Sequence, residues 1–119
     1  MIKKFLIHSN EVIKVSEGLK KQNKTIALCH GVFDLFHLGH LKYFENAKKN
    51  ANYLFVSITS DKFVKKGFNR PFYSQNERIK ILSSLEIIDH IVLSDEETAQ
   101  EIIKLVKPNF YIKGPDYKD

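Results

Sequence analysis

Tryptophan is absent from this chain, and cysteine and methionine occur once each. The lone Cys29 excludes an internal disulfide and fits a reducing compartment. At the end of an apolar run, it reads as core filler rather than as a nucleophile. With only 3 prolines and 5 glycines, no Pro/Gly-rich linker, repeat or low-complexity segment marks an internal boundary. No apolar run nears the length of a membrane span. Met1 to Ile7 starts basic, but His8, Ser9, Asn10 and Glu11 cut the apolar segment too short for a signal peptide. The expectation is a cytoplasmic protein with no membrane partner.

What is present is ordinary for a globular domain: 43% hydrophobic and 28% charged residues in 119. One core can be built at that length, near the lower end for a doubly wound sheet. Lys and Arg number 19 against 14 Asp and Glu, a net charge of +5. That excess suits anionic ligands without choosing between nucleotides and nucleic acids. The basic pairs Lys20-Lys21, Lys48-Lys49 and Lys65-Lys66 are scattered, and the first two lack interleaved aromatics, so no nucleic-acid partner is expected.

Along the chain, Ser9 or Asn10 would cap a helix to about Gln22, with Val12, Ile13, Val15 and Leu19 as its apolar set. Thr25 to His30 reads as a buried first strand, and Gly39 or His40 to about Asn50 as a helix. Tyr53 to Thr59 is a second strand with too few polar positions for a face in water. A basic loop, Lys62 to Pro71, precedes a helix to about Leu85 opened by the capping box Ser74/Glu77. His90 to Leu93 is a third strand; Ser94/Glu97 is a second capping box, for a helix ending near Val106 before Lys107-Pro108. Asn109 to Lys113 is a fourth strand, broken by Gly114-Pro115.

Alternating strands and helices predict parallel pairing with right-handed crossovers, hence a Rossmann-like three-layer α/β domain. Ligands bind such sheets beyond the carboxyl ends of the strands, where strand order reverses. If the first and fourth strands flank that reversal, the turns Gly31 to His40 and Gly114 to Asp116 meet there.

The chemistry concentrates in His30-Gly31-Val32-Phe33-Asp34-Leu35-Phe36-His37-Leu38-Gly39-His40, a strand end emptying into a helix start. An i, i+3 histidine pair at a helix start lies on one face, so both rings can reach one phosphate chain. The helix N-terminus adds N–H groups and a positive dipole end, and Gly31 and Gly39 would permit close backbone approach. A zinc site would need further Cys or His ligands, which Cys29, His8 and His90 do not supply at recognisable spacing.

Gly31 to His40 resembles the Gly-x-Phe-Asp-x-x-His-x-Gly-His signature of the cytidylyltransferase-like nucleotidyltransferases. It is similar both to glycerol-3-phosphate cytidylyltransferases and to the adenylyltransferase half of bifunctional heptose-phosphate enzymes. The likeness continues through Thr59-Ser60-Asp61, Lys65-Lys66, Asn76-Glu77-Arg78 and Lys113-Gly114-Pro115-Asp116-Tyr117.

The resemblance implies transfer of a nucleotidyl group from CTP or ATP to a phosphorylated sugar or polyol, with release of pyrophosphate and Mg²⁺ accompanying the triphosphate. Such activated sugars feed surface glycan synthesis, and relatives are commonly homodimers. Residue by residue, it assigns His37 and His40 as the catalytic pair, and Lys65 or Lys66 to the acceptor phosphate, with Lys66 also catalytic. Arg78 becomes a catalytic phosphate contact, and Asp34 an orienting or metal-holding carboxylate. Gly31, Val32, Phe33, Asp34, Gly39, Lys113, Gly114 and Asp116 join the histidines around the nucleotide. From the residues alone, plainer alternatives stand beside these. Asp34 could cap the helix or form an Asx-turn, Lys65 and Lys66 could be solvated, and Arg78 could pair on its own helix with Glu77, Asn76 or Ser74. Phe33 and Phe36 read as core.

On this reading, 1–119 is a single domain, with a helical extension (1–23) before a catalytic core (24–117). The resemblance implies a further strand and helix, with a Ser/Thr-rich phosphate-binding motif, that the chain does not reach by Tyr117-Lys118-Asp119. The expectation is a fragment of a longer protein, with a partner domain such as a sugar kinase downstream. The alternative function is a non-catalytic nucleotide-binding module of such a protein.

Overall fold

The computed structural model describes residues 4–64, 71–96 and 98–114. In chain order the elements are β1 (Phe5–Leu6), α1 (Ser9–Lys21), β2 (Ile26–Gly31), α2 (Leu38–Lys48) and β3 (Tyr53–Thr59). A 3-10 turn (Asp61–Phe63), α3 (Gln75–Ser83), β4 (His90–Ser94), α4 (Gln100–Val106) and β5 (Phe110–Tyr111) follow. The strands form one sheet in the order β1-β4-β3-β2-β5, every pair parallel. This is the Rossmann-like α/β class expected.

Alternation along the strands builds two cores. On β2, Ala27 and Cys29 join Tyr43, Phe44 and Ala47 of α2 and Ile79 and Leu82 of α3 on one face. Ile26 and Leu28 join Val12 and Leu19 of α1 and Ile102 and Val106 of α4 on the other. The central strands β2 and β3 are therefore buried on both sides, which is why they read as continuous apolar runs. The three-layer arrangement follows directly.

Three local expectations are corrected. The sequence pattern holds no sign of β1, which pairs with β4, Phe5 against Ile91 and Leu6 against Val92. With Leu6, Val12 and Leu19 in the core, residues expected to be a helical extension are woven into the domain. His8, not Ser9 or Asn10, is the N-cap of α1, and Glu11 accepts from the N–H groups of Ile7 (2.9 Å) and His8 (3.0 Å). Ser94 ends β4 instead of capping a helix, and α4 begins only at Gln100 after the N-cap Ala99. Glu97 lies outside the described residues. The Ser74/Glu77 capping box of α3 is formed, with Glu77 N–H to Ser74 Oγ 3.2 Å and Ser74 N–H to Glu77 Oε1 2.9 Å.

The chain steps from β2 to β3 to β4 on one side, then returns across the sheet to lay β5 against the other side of β2. Strand order reverses between β2 and β5, where Ala27 faces Phe110 and Leu28 faces Tyr111. The Gly31–His40 turn and the Ile112–Gly114 segment leave the sheet on either side of this point. No helix among the described residues is long and apolar enough to cross a membrane.

Candidate active site

At the carboxyl end of β2 the backbone takes an unusual course. Phe33 (φ 54°) and Leu35 (φ 49°) are both left-handed without being glycine, so the turn carries conformational strain on either side of Asp34. The Phe33 ring folds back over Gly31, where a Cβ would lie 2.9 Å from it. Gly31 is thus required by an aromatic ring of its own chain, in addition to any ligand approach. Phe33 is buried, as expected of a core residue. Phe36 is partly buried and stacks on His40 at 5.4 Å.

His37 is the N-cap of α2 and His40 its third residue, and they cap one another. His37 Nδ1 accepts from the Gly39 N–H at 3.0 Å, and His40 Nδ1 accepts from the His37 N–H at 3.1 Å. This is the capping-box pattern with imidazoles in place of the usual hydroxyl and carboxylate. The rings stack at 3.9 Å, with His37 exposed and His40 buried against Phe33 and Phe36. An Nδ1 that accepts from an amide leaves the proton of the neutral ring on Nε2. Each histidine therefore spends one nitrogen on the helix start and carries a donor on the other.

Arg78 is held by the protein itself. Its side chain is 0% exposed, and its guanidinium is spent inside the protein. Nη1 donates to Val32 O (2.8 Å) and Thr59 O (2.7 Å), Nε to Tyr73 O (3.1 Å), and Nη2 to Asp61 Oδ1 (2.7 Å). None of these partners lies on its own helix. It braces the signature turn, the end of β3 and the approach to α3 against one another.

Asp34 serves the same junction, its carboxylate accepting from the N–H groups of Phe72 (2.7 Å) and Tyr73 (3.0 Å). That is an orienting role and not a helix cap. Among the described residues no group of three or more His, Cys, Asp or Glu side chains could hold a metal ion. Asp61 N–H donates to Gln75 Oε1 at 3.0 Å, closing the same network. Lys65, Lys66 and Asp116 lie outside the described residues.

Across the reversal, Lys113 is exposed and Gly114 half-buried beside the Tyr43 ring. Cys29, below them in β2, is buried, and loss of hydration pushes its thiol up to about 12. Tyr43 and the positive φ of Phe33 and Leu35 escaped the sequence reading. None has a spacing signal, because each acts through distant partners or through backbone shape.

Sequence comparison decides what the geometry leaves general: residues 28–119 match the cytidylyltransferase-like family. The chain belongs to that family. Among curated relatives of this cytidylyltransferase-like domain are proteins named "Bifunctional protein HldE". That of a Nitratiruptor species is 42% identical over 116 residues, which is 96% of this chain and 25% of the relative. That of Campylobacter fetus subsp. fetus is 40% identical over 111 residues, 90% of this chain and 24% of the relative. The chain thus spans about a quarter of the length of these relatives. Two solved structures share the fold. A lipopolysaccharide core biosynthesis protein from Thermoplasma volcanium gives a TM-score of 0.69 at 21% identity, over 80% of this cytidylyltransferase-like domain and 99% of that chain. A pantoate-beta-alanine ligase from Francisella tularensis gives 0.62 at 17%, over 90% and 54% respectively.

Proposed function

We propose that this domain transfers a nucleotidyl group from ATP or CTP to a phosphorylated sugar or polyol. The observation that carries the reading is the reciprocal His37/His40 cap, set on α2 beside the reversal of strand order. An acceptor phosphate oxygen attacks the α-phosphorus. The bond from that phosphorus to the bridging oxygen breaks, and pyrophosphate leaves with the electron pair. The attacker is already an anion near neutral pH, so the work is to gather anions and stabilise charge on transferring and leaving oxygens.

The Nε2–H groups of His37 and His40 and the first N–H groups of α2 supply donors for that charge. Gly31, Val32, Phe33 and Gly39 shape the turn around the phosphates, while Lys113, Gly114 and Asp116 are assigned to binding the base and ribose. Lys65 and Lys66 serve the acceptor phosphate. Arg78 and Asp34 are positioning residues in this scheme. Mg²⁺ arriving with the triphosphate would neutralise phosphate charge, held chiefly by phosphate and water oxygens. The Lys113-Gly114-Pro115-Asp116-Tyr117 sequence and the relatives named above favour ATP and a sugar phosphate.

Pyrophosphate release from ATP or CTP, with Mg²⁺ and a panel of sugar and polyol phosphates, tests the reading. His37→Asn or His40→Asn keeps an amide oxygen where Nδ1 accepts but removes the Nε2 donor. Turnover is expected to fall on the order of 10²–10³-fold, with nucleotide binding retained. Unchanged turnover in both variants overturns the assignment, and nucleotide binding without turnover by the unaltered chain favours a non-catalytic module.

A further inference from the structure

Tyr43 lies one helical turn beyond His40 on α2, so the two side chains share a face of that helix. It is buried, yet it carries a hydroxyl where leucine or phenylalanine would fill the same space. A buried hydroxyl is costly unless it is hydrogen-bonded. The Tyr43 hydroxyl donates to the carbonyl oxygen of Ile112, just past the two-residue strand β5. The amide of that same residue is held from the other side by Leu28 O at 3.0 Å. The Tyr43 ring also lies 3.3 Å from where a Cβ on Gly114 would be, so any side chain there would press on it. Its other neighbour is the Phe33 ring of the signature turn, stacked at 6.4 Å and 30°. Burial pushes the phenol up, keeping it protonated as a donor.

One side chain therefore fixes where the chain leaves the sheet at 112–114 and ties that exit to the helix that carries the imidazole pair. We propose that Tyr43 is a positioning residue for the nucleoside half of the nucleotide, setting the place of Lys113 and Gly114 against the His37/His40 phosphate site. This rests on the reading that the 113–116 segment contacts base and ribose. Tyr43 touches no reacting atom. It governs affinity for the nucleoside, and through backbone placement the choice between bases, while the triphosphate end is set independently.

The two halves can be separated by titrating the chain with ATP, with CTP and with inorganic tripolyphosphate, which has no base or ribose. Tyr43→Phe keeps the ring and deletes the hydroxyl. Affinity for the preferred nucleotide is expected to fall roughly five- to tenfold, the scale of one net hydrogen bond, with tripolyphosphate binding unchanged. Gly114→Ala presses on the same ring from the other side and is expected to act in the same direction, which keeps the test open if one variant folds poorly. Equal nucleotide affinity in both variants overturns this inference alone. A parallel loss of nucleotide and tripolyphosphate binding also overturns it, since that is general loosening of α2. An unaltered chain that binds neither nucleotide overturns the proposed function and this inference with it.

Discussion

The two nitrogens of an imidazole allow one residue to serve the fold and the chemistry together, and His37 and His40 divide them that way. Nδ1 satisfies amides that a serine or glutamate would satisfy elsewhere, which puts the neutral ring's proton on Nε2. Cys29 shows the opposite extreme, a potentially reactive group removed from use. With its thiol pushed up to about 12 by burial, it is expected to resist alkylation by iodoacetamide at pH 8 in the folded protein. Complete labelling is expected once urea unfolds the chain, with mass spectrometry giving the stoichiometry; fast labelling of the native state would refute the buried assignment. The spacing of His37 and His40 and the burial of Cys29 were legible as sequence. The division of labour between ring nitrogens was not, because it depends on amide directions that only the folded turn defines.

Among the elements, α3 is tied to the sheet by Arg78, whose partners lie 46, 19 and 17 residues away at Val32, Thr59 and Asp61. Arg78→Met retains apolar bulk and removes every donor, leaving the Val32 and Thr59 carbonyls without their guanidinium partner. Unfolding free energy is expected to drop by about 2–6 kcal/mol, two stranded carbonyls at roughly 1–3 kcal/mol each. Urea denaturation measures it, and a loss under about 0.5 kcal/mol, the usual size of a surface change, would show the brace to be dispensable. The Ser74/Glu77 start of α3 was readable because a capping box is local. Arg78's partners were not, since nothing in a helix announces contacts that far away. Ser94/Glu97 misled for the related reason that a capping spacing can also occur at a strand end. β1 was hidden because two residues are too few to show a period.

For the molecule as a whole, the central strands of the parallel sheet are buried on both faces, and two imidazoles are caught at strand ends. Burial holds His30 and His90 below the ordinary histidine range. The unfolded chain therefore binds protons at higher pH than the folded one. The stability contributed by the neutral rings is present above about pH 6.5 and is lost as pH falls through that value toward the lower folded pKa. Unfolding free energy is expected to decline as pH falls through that window, and His90→Gln to flatten that slope in urea titrations; an unchanged slope would remove His90 as a source. The fold class and the reversal of strand order between β2 and β5 were legible from the alternation of elements. Which edge received β1 was not. The same topology orders events in time. β5 reaches β2 across a separation of 83 residues, as in the Ile26 N–H bond to Asn109 Oδ1, so that closure is late in any pathway that favours short loops. During synthesis, the signature turn can form long before its opposite wall emerges from the ribosome. A nucleotide that needs both walls can steady only a chain in which β5 has already joined β2, and offers no shelter to the intermediates that precede it.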